Sequence, residues 1–123
     1  MKKKESFSIR KRIKSFGYAI KGLRILISSE HNIWIHLTAT IVVITAGIIV
    51  DITKSDWFMI SVAIALVWIT EALNTSIEFI IDMVQPDHHH LAEKAKDVEA
   101  AAVLIAAIIA VFIAILVFLP KFI

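Results

Sequence analysis

Residues 69–82 read Ile-Thr-Glu-Ala-Leu-Asn-Thr-Ser-Ile-Glu-Phe-Ile-Ile-Asp, with acids recurring inside otherwise membrane-spanning sequence. At 100° per residue, three acids and one amide project from one face of a helix, at roughly 0°, 300°, 340° and 20° in chain order. They are Glu71, Asn74, Glu78 and Asp82. An ionisable residue at mid-membrane costs about 2.5–3.5 kcal/mol on insertion scales, so acids there normally face a partner, a cation or water. This acidic stripe is therefore the first candidate functional site.

The composition is that of a membrane protein. The chain has 123 residues, of which 59% are hydrophobic, more than a soluble domain of this size can bury. Three apolar blocks, 33–50, 57–84 and 100–119, predict membrane-spanning helices within one all-α domain, residues 1–123. The second block crosses a bilayer only if the stripe is included, because Trp57 to Thr70 is only 14 residues long.

The segment before these blocks has the pattern of an amphipathic helix over about residues 7–28. Its apolar residues recur in alternating steps of four and three, at Ile9, Ile13, Phe16, Ile20, Leu23 and Ile27, and its basic residues occupy other faces. A basic amphipathic helix beside a membrane span usually lies in the interface. We therefore expect an N-terminal interfacial helix, and a turn or kink at Glu30-His31-Asn32, where it meets the first span.

The basic residues predict the orientation. Nine of the thirteen Lys and Arg residues precede the first span, which favours a cytoplasmic N-terminus. No short apolar run with a cleavage site comes after them, so we expect no signal peptide to be removed. Three crossings then make the loop 51–56 external and the loop 85–99 cytoplasmic. We expect Ser55 or Asp56 to cap the second span, and Asp87 to cap the helix that leads into the third. Glu30, the stripe and residues 87–97 then converge on the cytoplasmic side.

Clustered carboxylates with an amide suit a hard divalent cation, and magnesium prefers one or two carboxylates completed by water and phosphate. With Lys96 as a counter-charge, the set fits phosphoryl transfer, and it fits a proton or cation pathway equally well. With three glycines in all, the chain has neither a P-loop nor a glycine-rich kinase loop. His88-His89-His90 point in three directions around a helix and predict no dedicated metal site.

Two stretches resemble the small prokaryotic diacylglycerol/undecaprenol kinases. Residues 71–82 are similar to that family's E-x-x-N-[ST]-[AS]-[IL]-E-x3-D signature, and residues 89–103, with Lys96-Asp97, to its second signature. The length, the three spans, Gly17-Tyr18 and the Glu30-His-Asn junction also match. Pro86 and the ending Phe118-Leu119-Pro120-Lys121 look more like the undecaprenol kinase branch. His88 stands where an aromatic residue is common, and Glu99 and Ala101 where small residues are usual.

The resemblance implies a homotrimer in a bacterial inner membrane that uses Mg²⁺ and ATP to phosphorylate the hydroxyl of undecaprenol or diacylglycerol. It implies Glu71 as the general base with Asn74 beside it, Glu30 and Glu78 as ligands of the ATP-bound magnesium, and Arg24 with Glu71 at the lipid. The nucleotide residues that it implies are Lys11, Tyr18, Glu30, Glu78, Asp82, His89, Lys96 and Asp97. The alternatives are a small transport or channel subunit with an acidic conduction path, and a non-catalytic accessory protein.

Overall fold

The structure, a computed structural model, describes residues 6–123, and all the regular secondary structure in that range is helical. Four α-helices follow one another: α1 (Ile9–Ser29), α2 (Asn32–Val50), α3 (Lys54–Val84) and α4 (His90–Phe118), and a short 3-10 helix (Leu119–Lys121) closes the chain. The all-α expectation is confirmed for these residues. The connections are short, with only Glu30 and His31 between α1 and α2.

Three of these helices, α2, α3 and α4, are long and apolar enough to cross a bilayer. The 31 residues of α3 make a helix of about 46 Å, which exceeds the roughly 30 Å of a hydrocarbon core. About ten residues of α3 therefore extend beyond the hydrocarbon when the helix lies along the bilayer normal. The chain is a membrane protein, and its spans carry many exposed apolar side chains, such as Ile49, Phe58 and Phe112.

The start of α3 is stabilised by a capping box rather than by the expected Ser55 or Asp56 cap. Thr53 is the N-cap, and its Oγ1 accepts a hydrogen bond from the backbone N–H of Asp56 at 3.1 Å. The Asp56 carboxylate in turn accepts from the Thr53 N–H at 3.4 Å. Asp56 therefore lies at this helix end, as expected, but it is the acidic partner of the N-cap Thr53 and not the N-cap itself. In a capping box the acidic residue stands three residues after the N-cap.

Helix α4 begins earlier than the apolar block predicts. The segment 85–99, predicted to be cytoplasmic, consists of the connection 85–89 and the first turns of α4, which starts at His90. The expectation that Asp87 caps this helix is also wrong, since His89 is the N-cap and its Nδ1 accepts from the Leu91 N–H at 3.1 Å. Residues 90–99 are rich in Ala, Glu, Lys and Leu, which are strong helix formers. The apolar block therefore begins about ten residues inside α4.

Helices α3 and α4 form the most extensive helix pair and run antiparallel. An ion pair joins them at each end: Lys96 with Asp82 at 2.8 Å beside the connecting loop, and Lys121 with Asp56 at 3.8 Å at the far end. Small residues let the backbones approach closely, since Ala63 is 4% and Ala106 2% exposed. The pair includes the acidic stripe on α3 and its counter-charge Lys96 on α4.

Helices α2 and α1 are added to this pair less tightly. Near the end of α2, the apolar core consists of Ile52, Ile60 and Val117, with Trp57 packed against them. α1 contacts α2 and α3, and Leu26 is the one residue of α1 that is buried. The backbone turns at Glu30, whose extended conformation ends α1, as the sequence predicts for this junction.

Candidate functional site

The acidic stripe of α3 runs from a buried end to an exposed end. Glu71 is 1% exposed, Asn74 and Glu78 are half-buried, and Asp82 is exposed close to the α3–α4 loop. Asn74 lies one helical turn from both glutamates, and Glu71 and Glu78 are separated by about 10 Å along the axis. One helix face thus carries an acid shielded from water, an amide, and an acid that water or a charged ligand can reach.

The buried end of the stripe faces α2. The Nε2 atom of His36 lies 3.8 Å from Oε2 of Glu71, and both side chains are largely buried. Oε2 of Glu71 has no hydrogen-bond partner within the described residues, and neither has the buried hydroxyl of Thr75 one turn further on. A separation of 3.8 Å is too long for a hydrogen bond. The Glu71 side chain is therefore held in largely apolar surroundings, with His36 as its neighbour on α2.

The middle of the stripe meets the junction between α1 and α2. The carboxyl group of Glu30 lies close enough to that of Glu78 for Glu78 to influence its pKa. The pKa of Glu30, which lies outside the spanning helices, is raised by its burial first and then by the negative charge of Glu78, with a smaller contribution from Glu71; His31 opposes the rise. Two carboxyl groups so close together need a shared proton or a cation between them.

These two carboxylates fit a magnesium ion. No group of three or more His, Asp or Glu side chains is arranged to hold a metal within residues 6–123. Magnesium is commonly held by only one or two carboxylates, with water and phosphate oxygens completing its coordination. Glu30 and Glu78, which the resemblance assigns to magnesium, are thus brought together from distant parts of the chain in the chemistry that this ion prefers.

The exposed end of the stripe lines a polar pocket between α3, the 85–89 loop and α4. The pocket has a volume of about 280 Å³, and four residues expected at the nucleotide line it: Asp82, His89, Lys96 and Asp97. Nζ of Lys96 donates to Oδ1 of Asp82 at 2.8 Å, across the two helices. His89 uses Nδ1 to cap α4, which leaves its proton on Nε2 as a donor when the ring is neutral.

The structure does not gather the predicted residues of α1 into this pocket. Lys11, Tyr18 and Arg24 are exposed on the surface of α1. Of the three histidines in the 88–90 run, His88 lies 3.5 Å from a carboxylate oxygen of Glu93, and the rings of His89 and His90 stack with centroids 4.6 Å apart. The roles of the α1 residues remain predictions.

Two residues at the site were not assigned a role from the sequence. His36 is a lone ionisable residue within an apolar span, and such a residue normally has a partner. Glu99 was noted only as a departure from small residues. It is buried, both of its carboxylate oxygens lack hydrogen-bond partners within the described chain, and it lines a cavity of about 250 Å³ with Thr70 and Asn74.

The chain is similar in sequence to known lipid kinases. The family model for prokaryotic diacylglycerol kinase matches residues 17–118. An undecaprenol kinase of Bacillus subtilis (strain 168) is 37% identical over 108 residues, which are 88% of this chain and 88% of that protein. A diacylglycerol kinase of Escherichia coli (strain K12) is 34% identical over 99 residues, 80% of this chain and 81% of that protein.

A diacylglycerol kinase of a Synechocystis species is 37% identical over 100 residues, which are 80% of this chain and 57% of that protein. These relatives give no support to the alternative of a transport or channel subunit, and kinases of this kind use ATP. The acidic stripe on α3 is thus part of a membrane lipid kinase, and the chain belongs to the prokaryotic diacylglycerol kinase family.

Proposed function

We propose that this kinase transfers the γ-phosphoryl group of ATP to the hydroxyl of a membrane lipid, undecaprenol or diacylglycerol, at the cytoplasmic face of a bacterial inner membrane. The observation that carries the proposal is the division of the acidic stripe. Glu71 is enclosed at 1% exposure beside His36, whereas Glu78 lies two turns along the same face and meets Glu30. One end of the stripe suits a base that meets a lipid, and the other suits a cation that carries phosphate.

These positions support the following chemistry. The Glu71 carboxylate takes the proton of the lipid hydroxyl, and the lipid oxygen forms a bond to the γ-phosphorus. The bond from that phosphorus to the bridging oxygen breaks, and ADP leaves with the electron pair. Asn74, one turn from the base, offers an amide donor to the reacting oxygens. Magnesium bound by Glu30 and Glu78 would neutralise the phosphate charge, which is the main requirement of phosphoryl transfer.

The nucleotide would occupy the polar pocket at the exposed end of the stripe. Lys96 supplies a positive charge there, and Asp82 holds that charge in place through the 2.8 Å contact. Asp97 and His89 line the same pocket. Lys11 and Tyr18 would approach from α1, which is exposed on every side except at Leu26 and its neighbours.

The surrounding assembly is suggested by the apolar surface. In the proposed arrangement α1 lies in the cytoplasmic interface with the N-terminus in the cytoplasm, and Arg24 meets the lipid head group. Exposed apolar side chains on α2, α3 and α4 would pack against lipid and against two further copies in a homotrimer. The resemblance to the kinase family supports this trimer.

Phosphate transfer measured in lipid nanodiscs tests the proposal. ATP labelled in the γ-phosphate is supplied with undecaprenol or dioleoylglycerol in parallel, and labelled lipid is counted. Glu71→Gln should lower kcat about 10²–10⁴-fold, the range usual for loss of a general base. Asp51→Asn removes an exposed carboxylate at the other end of α2 and should leave activity unchanged. The proposal is overturned if neither lipid is labelled, or if Glu71→Gln turns over like the unchanged protein.

A further inference from the structure

A second polar contact lies near Glu71 and involves its neighbour, His36. Trp68 Nε1 on α3 donates a hydrogen bond to Oγ1 of Thr40 on α2 at 3.0 Å. The Thr40 hydroxyl donates in turn to the backbone carbonyl of His36 at 2.7 Å. Three polar groups thus connect the helix that carries Glu71 to the residue that faces it.

The spacing of these contacts sets the register of the two helices. Along α2, Thr40 follows His36 by four residues, and along α3, Trp68 precedes Glu71 by three. Because the helices run antiparallel, the Trp68–Thr40 bond lies one turn from the His36–Glu71 contact on the same interface. Elsewhere this interface is apolar, with Val43, Ile60 and Ala63 facing a small cavity beside His36. A hydrogen bond in such surroundings is strongly directional and resists sliding of the helices.

Glu71, as the proposed base, needs a neighbouring side chain that can donate a hydrogen bond to it. It is 1% exposed, and the charged groups described around it include Glu30 from the α1–α2 junction and Glu78 on its own helix, both acidic. The Oε2 atom of Glu71 has no hydrogen-bond partner in the described chain, so no hydrogen bond within those residues fixes that oxygen. His36 is the basic side chain in contact with it, 3.8 Å away. An N–H directed at the carboxylate restricts its rotation.

We propose that His36 is a positioning residue for Glu71, and that the Trp68–Thr40 bond holds His36 in the register that this role requires. The inference rests on the proposed function, since it presumes that Glu71 is the base. In apo structures hydrogen bonds at reacting groups are often long and shorten when substrate binds, so 3.8 Å fits a pair that closes around the lipid hydroxyl. His36 acts through Glu71 and does not itself receive the proton of the lipid.

The role can be separated from simple packing by two substitutions. His36→Leu fills a similar space without an N–H, whereas His36→Gln retains a donor near the position of Nε2. We expect kcat to fall about 10- to 100-fold in the leucine variant, as for the loss of a hydrogen bond to a charged group, with KM for ATP unchanged. The glutamine variant should recover most of that loss. Thr38→Leu, on the exposed face of the same helix, should retain the full kcat.

The dependence on Glu71 is tested by combining changes. In a Glu71→Gln background, His36→Leu should cause little further loss, because the group that it positions is gone. Trp68→Phe keeps the ring but removes the donor, and it should lower kcat severalfold while the protein stays folded. If His36→Leu does not fold, Trp68→Phe and His36→Gln still decide the question. Labelling the histidines with ¹⁵N gives a second readout: the His36 signals should shift in Glu71→Gln without any substrate.

The outcomes distinguish the assignment of Glu71 as the base from the positioning role of His36. A fully active Glu71→Gln would overturn the assignment of the base and the positioning role with it. An inactive Glu71→Gln together with a His36→Leu variant of unchanged kcat would overturn the positioning role alone. Equal losses in His36→Leu and His36→Gln, with additive effects in the Glu71→Gln background, would also overturn it, because a role in packing alone predicts that result.

Discussion

The indole ring of Trp57 lies directly against the α-carbon of Gly47. A Cβ atom added to Gly47 would be 2.7 Å from Cη2 and 3.0 Å from Cζ2 of that ring, and 3.1 Å from Cδ1 of Ile52. Carbon atoms do not approach to 2.7 Å without displacement, and the ring is packed against the apolar core of the molecule. The close contact of α2 with the start of α3 therefore depends on a residue that has no side chain.

Gly47→Ala should destabilise the protein by about 1–3 kcal/mol, the usual effect of forcing a methyl group into a packed interior. Thermal unfolding in detergent would show it as a lower midpoint. Gly17→Ala is the matched control, because nothing lies within 4 Å of its added Cβ and alanine favours a helix. Equal midpoints for the two variants would contradict the prediction. At low temperature the kcat of Gly47→Ala should be normal, since this contact is remote from the acidic stripe.

The Lys96–Asp82 pair should matter for nucleotide binding and little for stability, because both side chains are substantially exposed to solvent. Lys96→Met should raise KM for ATP roughly 10- to 100-fold, through loss of a charge-assisted contact to phosphate. Asp82→Asn should raise it less, because the lysine remains. Lys54→Met, at the far end of α3, should leave KM unchanged. If Asp82→Asn raised KM more than Lys96→Met did, the carboxylate and not the lysine would be the direct contact.

Glu99→Ala should stabilise the protein by about 1–3 kcal/mol. The change removes a buried carboxylate whose two oxygens have no partner in the described chain, and an unsatisfied buried polar group is costly. Denaturation in mixed detergent micelles would measure it. Glu93→Ala, which removes an exposed acid from the same helix, should change stability little. A Glu99→Ala variant that unfolds more easily than the unchanged protein would mean that another protomer satisfies this carboxylate.

Binding of a divalent cation should strengthen as the pH rises. The raised pKa of Glu30 means that this group keeps its proton at pH values where an ordinary glutamic acid has lost it, so proton and cation compete. The affinity for Mn²⁺, measured by electron paramagnetic resonance without nucleotide, should increase by up to about tenfold per pH unit while Glu30 is protonated. Without a cation, the raised pKa means that the free energy of unfolding falls as pH rises through the same range.

Glu78→Gln tests the cause of this pH dependence. It removes the neighbouring negative charge, so the pKa of Glu30 should move back toward its ordinary value and the slope of affinity against pH should flatten, although overall affinity is weaker. An affinity for Mn²⁺ that does not change with pH in the unchanged protein would contradict the prediction.

The helices and the sharing of one face by the acidic stripe were predictable because both depend on local periodicity. Glu71, Asn74 and Glu78 are spaced by three and four residues, and any helix through them places them together. The start of α4 was not predictable from hydropathy, because residues 90–99 are charged and helical at once. Lengths of apolar blocks locate a bilayer, and they say little about where hydrogen-bonded turns begin.

The contacts between helices required the tertiary structure. The separation in sequence between Glu30 and Glu78 carries no signal of their proximity, and only the resemblance to the kinase family paired them in advance. The His36–Glu71 contact depends on a register that Trp68 and Thr40 help to set, and no spacing within either helix encodes it. Glu99 was visible as an acid in place of a small residue, but its burial was not, because burial depends on how closely α3 approaches.

The attachment of α1 connects this helix to the proposed metal site. Leu26 is the one buried residue of α1, and the connection from α1 to α2 consists of Glu30 and His31. Glu30 is also a proposed ligand of magnesium. A cation bound by Glu30 and Glu78 would link the end of α1 to α3, and its release would remove that link. Binding of the metal-bound nucleotide would then also fix the position of α1.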